Sequence, residues 1–135
     1  QDIRYDHISK KWLIFDGCRW KYDNTGEIKR RAKDTVRQIY REAAEIEDDD
    51  AREARAKWAL RSEGESRIKS MIALAESGRG IPITPEELDL GGWLLNCKNG
   101  TVDLRTGELR QHRREDMITK LVQAFAHHFL FEFLT

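Results

Sequence analysis

Residues 93–112, WLLNCKNGTVDLRTGELRQH, constrain the fold of this chain more than any other stretch. They hold two turn dipeptides, Asn99-Gly100 and Thr106-Gly107, seven residues apart. Around and between the turns apolar residues alternate with polar ones, the period of a half-buried strand. The reading is a three-stranded antiparallel meander with strands at 93–97, 101–104 and 108–112. Asn-Gly and Thr-Gly supply the positive φ values that fix its register.

A second turn-centred stretch lies near the start, KKWLIFDGCRWKYDNTG. Trp12 and Ile14, then Trp20 and Tyr22, flank Asp16-Gly17, so a hairpin is expected at 11–15 against 19–22. Between hairpin and meander the period changes to that of helices. Ile28, Ala32, Val36, Ile39, Ala43 and Ile46 recur at the spacing of one buried helix face. The acidic stretch from Glu47 to Asp50 ends that helix and suits the positive N-terminus of the next. The second helix is expected at about 51–60 with Trp58 as its anchor. Ser62-Glu63-Gly64-Glu65 fits a capping box opening a third, with Ile68, Met71, Ile72 and Ala75 buried and Gly78 as its stop. Thr84-Pro85-Glu86-Glu87 opens a short fourth helix that Gly91-Gly92 ends. The fold class is therefore α+β: an N-terminal β-hairpin, a middle of three to four helices and a C-terminal three-stranded antiparallel meander. The last residues, LVQAFAHHFLFEFLT, read as a packed helix or strand.

A chain of 135 residues suffices for one domain without a disulfide or a structural metal. The opening QDIRYDH lacks the apolar core of a secretory signal, and no run of about 18 apolar residues suits a membrane span. Cys18 and Cys97 have no metal or redox spacing, so reduced thiols in the cytoplasm are expected. No phosphate-binding loop or dinucleotide fingerprint occurs, so no catalytic residue is assigned. His127-His128 are adjacent, diverge on a strand or a helix, and lack a third ligand, so no metal site is assigned. Asp48-Asp49-Asp50 lacks the alternation and glycine of a calcium loop.

Lys and Arg number 24, as do Asp and Glu, so any electrostatic signal lies in the distribution of charge. Residues 28–41 carry Lys29, Arg30, Arg31, Lys33, Arg37 and Arg41 against Asp34 alone; residues 42–53 are as strongly acidic. On a helix Arg30, Lys33, Arg37 and Arg41 fall within about 80° of one another, opposite the apolar face. Such a stripe suits phosphate contacts that position a nucleic acid without reading it; an ordinary solvated face has the same pattern. Arg105, Arg110, Arg113 and Arg114, with His112 beside them, form a second basic set. Trp12, Trp20 and Trp93 could stack bases, although aromatics on strands are more often core.

The ribbon resembles a long signature, W-L-L-N-x-x-N-G-T-x-D-L-R-T-G-E-L-R-x-H, of the poxvirus-type domain that precedes the superfamily 3 helicase of phage and plasmid primase-helicases. The matching positions include Trp93, Asn96, Asn99, Gly100, Asp103, Thr106 and Gly107, with Arg105, Arg110 and His112. WLIFDGCRWKYD and KWALRSEGESRIKSMIALA are similar to the family's hairpin and middle helices. The resemblance implies a non-catalytic accessory module over residues 1–122, with 123–135 a divergent apolar tail. Its implied partners are single-stranded or forked DNA and the primase and helicase domains of a parent chain, with homo-oligomers possible and no membrane. It implies no cofactor in this segment; ATP and magnesium belong to a downstream helicase. The alternative is a protein-interaction or oligomerisation module without direct DNA contact.

Overall fold

The structure is a computed structural model that describes residues 1–126. The chain forms two compact units: Gln1–Tyr22 with the chain from Pro82 onward, and the inserted segment Asp23–Ile81. The sequence expectations on residues 127–135, His127-His128 among them, lie outside the described residues.

In the first unit the expected hairpin is present as β2 (Lys11–Phe15) against β3 (Trp20–Tyr22). The Asp16 carboxylate closes its turn, accepting the Cys18 and Arg19 N–H groups at 2.9 Å each, while Gly17 takes φ 98°. Two further strands complete a sheet that the hydrophobic pattern did not announce. β1 (Ile3–Asp6) runs antiparallel to β2, and β4 (Pro82–Ile83) pairs with β1 in parallel, giving the order β3-β2-β1-β4. β4 is only two residues long and its partner lies some 77 positions away, too short and too distant for periodicity to find. Asp6, at the end of β1, is fully buried and accepts the Ile8 N–H at 2.9 Å and the Ser9 hydroxyl at 2.6 Å. Burial alone would raise its pKa, but the hydrogen bonds from Ser9 and Ile8 hold it below its ordinary value. Leu13, Trp20 and Ile83 form the core beneath, with Phe15, Leu88 and Met117 packed on it.

The meander is β5 (Leu94–Cys97), β6 (Gly100–Asp103) and β7 (Glu108–Arg110), antiparallel throughout. Its second turn is as expected, with Gly107 at φ 73°. Its first turn differs. Cys97 pairs with Gly100, so Lys98-Asn99 make the loop, and Asn99 keeps a negative φ. The Asn99 side chain instead accepts the Ala126 N–H at 2.8 Å. Gly100 is required by close approach: at φ 150°, a Cβ there would meet the Arg110 carbonyl oxygen at 2.4 Å. Val122 bridges Cys97 in parallel, and Cys97, Val102 and Ala126 make a second small core. Burial pushes the Cys97 thiol up.

The fourth helix is a single 3₁₀ turn, Pro85–Glu87. The Glu87 carboxylate accepts the Thr84 N–H at 2.7 Å, and a chain extended from Leu88 ends it.

The second unit comprises α1 (Glu27–Ala43), α2 (Asp49–Ser62) and α3 (Glu65–Ala75). Asp23 starts α1 by accepting the Glu27 and Ile28 N–H groups at 2.9 Å each. Ile28, Ala32, Val36 and Ala43 are its buried stripe, as the spacing predicts, with Ile39 half-buried; Ile46, expected on the same face, lies beyond the end of the helix. Asp48 caps α2 through the Ala51 N–H at 2.7 Å. Two expectations fail here. Trp58 does not anchor α2: it is 47% exposed beneath the Arg55 guanidinium, and Ala59 is the buried residue. Ser62 does not cap α3 either; it belongs to the last turn of α2, bonding back to the Trp58 carbonyl at 2.9 Å, and Gly64 occupies the cap. A small residue reaches the neighbouring helix where an indole would hold it off, so tertiary packing chose Ala59 over Trp58.

Candidate nucleic-acid interface

On α1 the regular 3.6-residue turn places Arg30, Lys33, Arg37 and Arg41 on one exposed stripe. Arg30 is well held locally; Lys33, Arg37 and Arg41 are not. Arg30 bonds Glu27 at 2.9 Å and the Thr25 carbonyl at 2.8 Å. Arg37 lies 3.6 Å from Asp34, both exposed. Lys33 and Arg41 form no ion pair among the described residues. Glu27 also holds Arg31 at 3.0 Å, so one carboxylate answers two guanidiniums. The stripe therefore keeps net positive charge, and it ends on Arg41 in the last turn, where the helix dipole favours a cation.

The second set, in the other unit, is divided by its local bonds. Arg105 forks onto Asp103 with contacts of 2.8 and 3.1 Å, yet its side chain remains 62% exposed. Arg110 is committed inward: it makes a bidentate pair with Asp116, both contacts 2.8 Å, and both side chains are mostly buried. Arg113 is exposed and forms no ion pair among the described residues. Arg114 pairs with Asp2 and Glu115, and its carbonyl accepts the Trp20 indole N–H at 2.8 Å.

The Arg105 guanidinium brings the Asp103 carboxyl down to about 2, helped by the Arg105 backbone N–H. A carbon-13 titration of that carboxyl should give a midpoint near 2, and Arg105→Gln should return it toward 3.8. The unfolded chain binds this proton at higher pH than the folded one. The pair thus stabilises the fold above about pH 4, and that contribution is lost as the pH falls toward 2.

The remaining motif positions build the ribbon. Asn96 is 4% exposed and has every hydrogen-bonding position filled. Its amide donates to the Cys18 carbonyl at 2.9 Å and the Lys120 carbonyl at 3.0 Å. Its oxygen accepts the Thr101 hydroxyl at 3.0 Å and lies 2.8 Å from His112 Nδ1. Because that oxygen can only accept, Nδ1 carries the proton. Asn99 holds Ala126, Thr106 accepts the Glu108 N–H at 3.2 Å, and Asp103 accepts the Arg105 N–H at 2.9 Å. Trp93 stands apart, 59% exposed, whereas Trp20 is 1% exposed and Trp12 packs against Tyr5 with the rings tilted 59° to one another. The sequence reading missed Thr101, Asp116, Cys18 and Lys120 as partners. The carbonyls that Asn96 binds lie 78 and 24 positions away, and a backbone carbonyl has no signature in sequence.

Comparison with known proteins agrees with the ribbon's signature. The family model described as D5 N terminal like matches residues 1–129. No curated protein matches the chain.

Proposed function

We propose that this chain, which belongs to the D5 N-terminal-like family and so to the primase-helicase type of N-terminal domain, is a non-catalytic module that positions DNA and links the primase and helicase regions of its parent. The observation that carries the reading is the α1 stripe, Arg30, Lys33, Arg37 and Arg41, four exposed cations on one helix face with two of them unpaired among the described residues. Such a row contacts successive phosphates and tells one sequence from another poorly. ATP and magnesium would act in the parent's motor, and this module would hold the template for it.

The test is a fluorescence-anisotropy titration of the full chain with single-stranded and forked DNA. Four phosphate contacts predict a salt slope near −3, so affinity should fall roughly fiftyfold between 50 and 200 mM salt. Reversing Arg30, Arg37 and Arg41 together to Glu should abolish most of that binding. Circular dichroism checks that α1 survives the loss of the Arg30 bonds to Glu27 and Thr25, and Arg30→Gln with Arg37→Gln and Arg41→Gln, which adds no like charges, should weaken binding in the same direction. Unchanged affinity in the triple variant would sink the reading. Absence of any binding at low salt would favour protein docking, to which the exposed Tyr40 and Trp58 of the same unit would contribute.

A further inference from the structure

The two edges of the meander differ. Along β5 the returning chain covers the edge: the Val122 N–H donates to the Asn96 carbonyl at 2.8 Å, and the Lys98 N–H donates to the Ala124 carbonyl at 3.0 Å. β7 forms the other edge. Main-chain groups along an antiparallel strand turn alternately to either side. The Leu104 N–H reaches the Trp93 carbonyl, so Leu104, Val102 and Gly100 turn toward β5, and Thr101 and Asp103 toward β7. Arg110 and Glu108 pair with those two, which leaves the N–H and C=O of Leu109 turned outward. No hydrogen bond reaches either group among the described residues.

The side chains beside this edge are exposed too. Leu109 lies opposite Val102, on the sheet face that carries Leu95 and Cys97, yet it is 39% exposed. Leu104 and Trp93, joined by their main-chain bond, are exposed as well. The other face carries Glu108, exposed and without an ion pair among the described residues, and Arg110, held in place by Asp116. An unpaired edge with an apolar flank is a template for another strand.

We infer that β7 pairs antiparallel with β7 of a second copy about a two-fold axis at Leu109, joining two three-stranded meanders edge to edge. The charges choose this register. A two-fold pairing within the strand is centred on one of its three residues. Centred on Glu108 it sets carboxylate against carboxylate, and centred on Arg110 it sets guanidinium against guanidinium. Like charges directly opposite are unfavourable. Centred on Leu109 it sets Glu108 of each copy opposite Arg110 of the other, and the outward N–H groups meet the outward carbonyls. Such a contact is the same patch on both copies and closes at two. The inference does not rest on the DNA reading, whose stripe belongs to the other unit.

The experiment is sedimentation equilibrium of the full chain over a wide concentration range at low salt, where a monomer–dimer equilibrium is expected. Leu109→Pro removes the outward N–H and no ladder bond to β6, so it should leave the chain monomeric. Glu108→Arg turns two attractive pairs into repulsive ones and should raise the dissociation constant on the order of tenfold. Circular dichroism checks that both variants stay folded; if Leu109→Pro does not, Glu108→Arg and a crosslink decide. In Leu109→Cys the two new thiols face each other across a Cα separation of about 5.5 Å, and oxidised glutathione should join them. In Gln111→Cys they lie about 14 Å apart and should stay unjoined, with Cys18 and Cys97 common to both variants. A chain monomeric at every concentration overturns the inference and leaves the edge to some other strand. So does a dimer that Glu108→Arg leaves unchanged, or joining at 111 in preference to 109.

Discussion

Asn96→Ala should destabilise the chain by on the order of 4 kcal/mol, read as a shift of the urea midpoint with the slope unchanged. The alanine leaves four groups without partners: the Cys18 and Lys120 carbonyls, the Thr101 hydroxyl and the His112 Nδ1–H. Each group so stranded away from water costs about 1–3 kcal/mol, and partial rehydration keeps the sum below its maximum. Asn96→Asp tests the amide itself. It keeps the acceptor for Thr101 and His112 but turns an oxygen toward two carbonyls, so it should also destabilise, by at least 2 kcal/mol or so. An Asn96→Asp chain as stable as the original would show that the two donor bonds contribute little. The single side chain joins three places in the sequence, the first hairpin at Cys18, the meander, and the segment at Lys120. Its loss should therefore loosen the whole first unit rather than one turn.

Trp20→Ala should cost about 3–5 kcal/mol, the range for truncating a large aromatic in a core. Trp20 is 1% exposed, packs with Leu13 and Ile83, and lies 5.6 Å from the Phe15 ring centre to centre. It is also held on two sides by the chain beyond the meander: its backbone N–H donates to the Ile118 carbonyl at 2.8 Å and its indole N–H to the Arg114 carbonyl at 2.8 Å. Trp20→Phe separates packing from hydrogen bonding. It keeps most of the ring and strands only the Arg114 carbonyl, so it should cost about 1–2 kcal/mol. Equal effects of the two substitutions would mean that the hydrogen bond, not the volume, dominates. Loss below 1 kcal/mol for Trp20→Ala would contradict the core placement altogether.

The local elements were legible wherever their cause was local. The Asp16-Gly17 hairpin, the Thr106-Gly107 turn and most of the buried stripe of α1 each depend on residues within a few positions, and each stands where the pattern put it. The errors share one origin. Trp58 and Ser62 were assigned by residue type alone, and the choice between Trp58 and Ala59 as the buried side chain was made by a neighbouring helix. The parallel pairing of β4 with β1 joins Ile83 to Asp6, and no window of sequence contains both. For the candidate interface the helix period alone placed Arg30, Lys33, Arg37 and Arg41 together. It could not show that Arg110 is committed to Asp116 while Arg113 is exposed and forms no ion pair among the described residues, because that depends on where the chain returns.

By itself the sequence determined the α+β class, the Asp16-Gly17 hairpin, the meander and the family to which its signature belongs. Turn chemistry, helix period and a long motif are written in adjacent residues, and their energies are short-ranged. Only the tertiary structure decided which of the four tryptophans is core and which are surface. It alone put Asn96 at the meeting point of three distant segments. Those outcomes are set by burial and by hydrogen bonds to main-chain carbonyls, which exist only once segments far apart in sequence have come together.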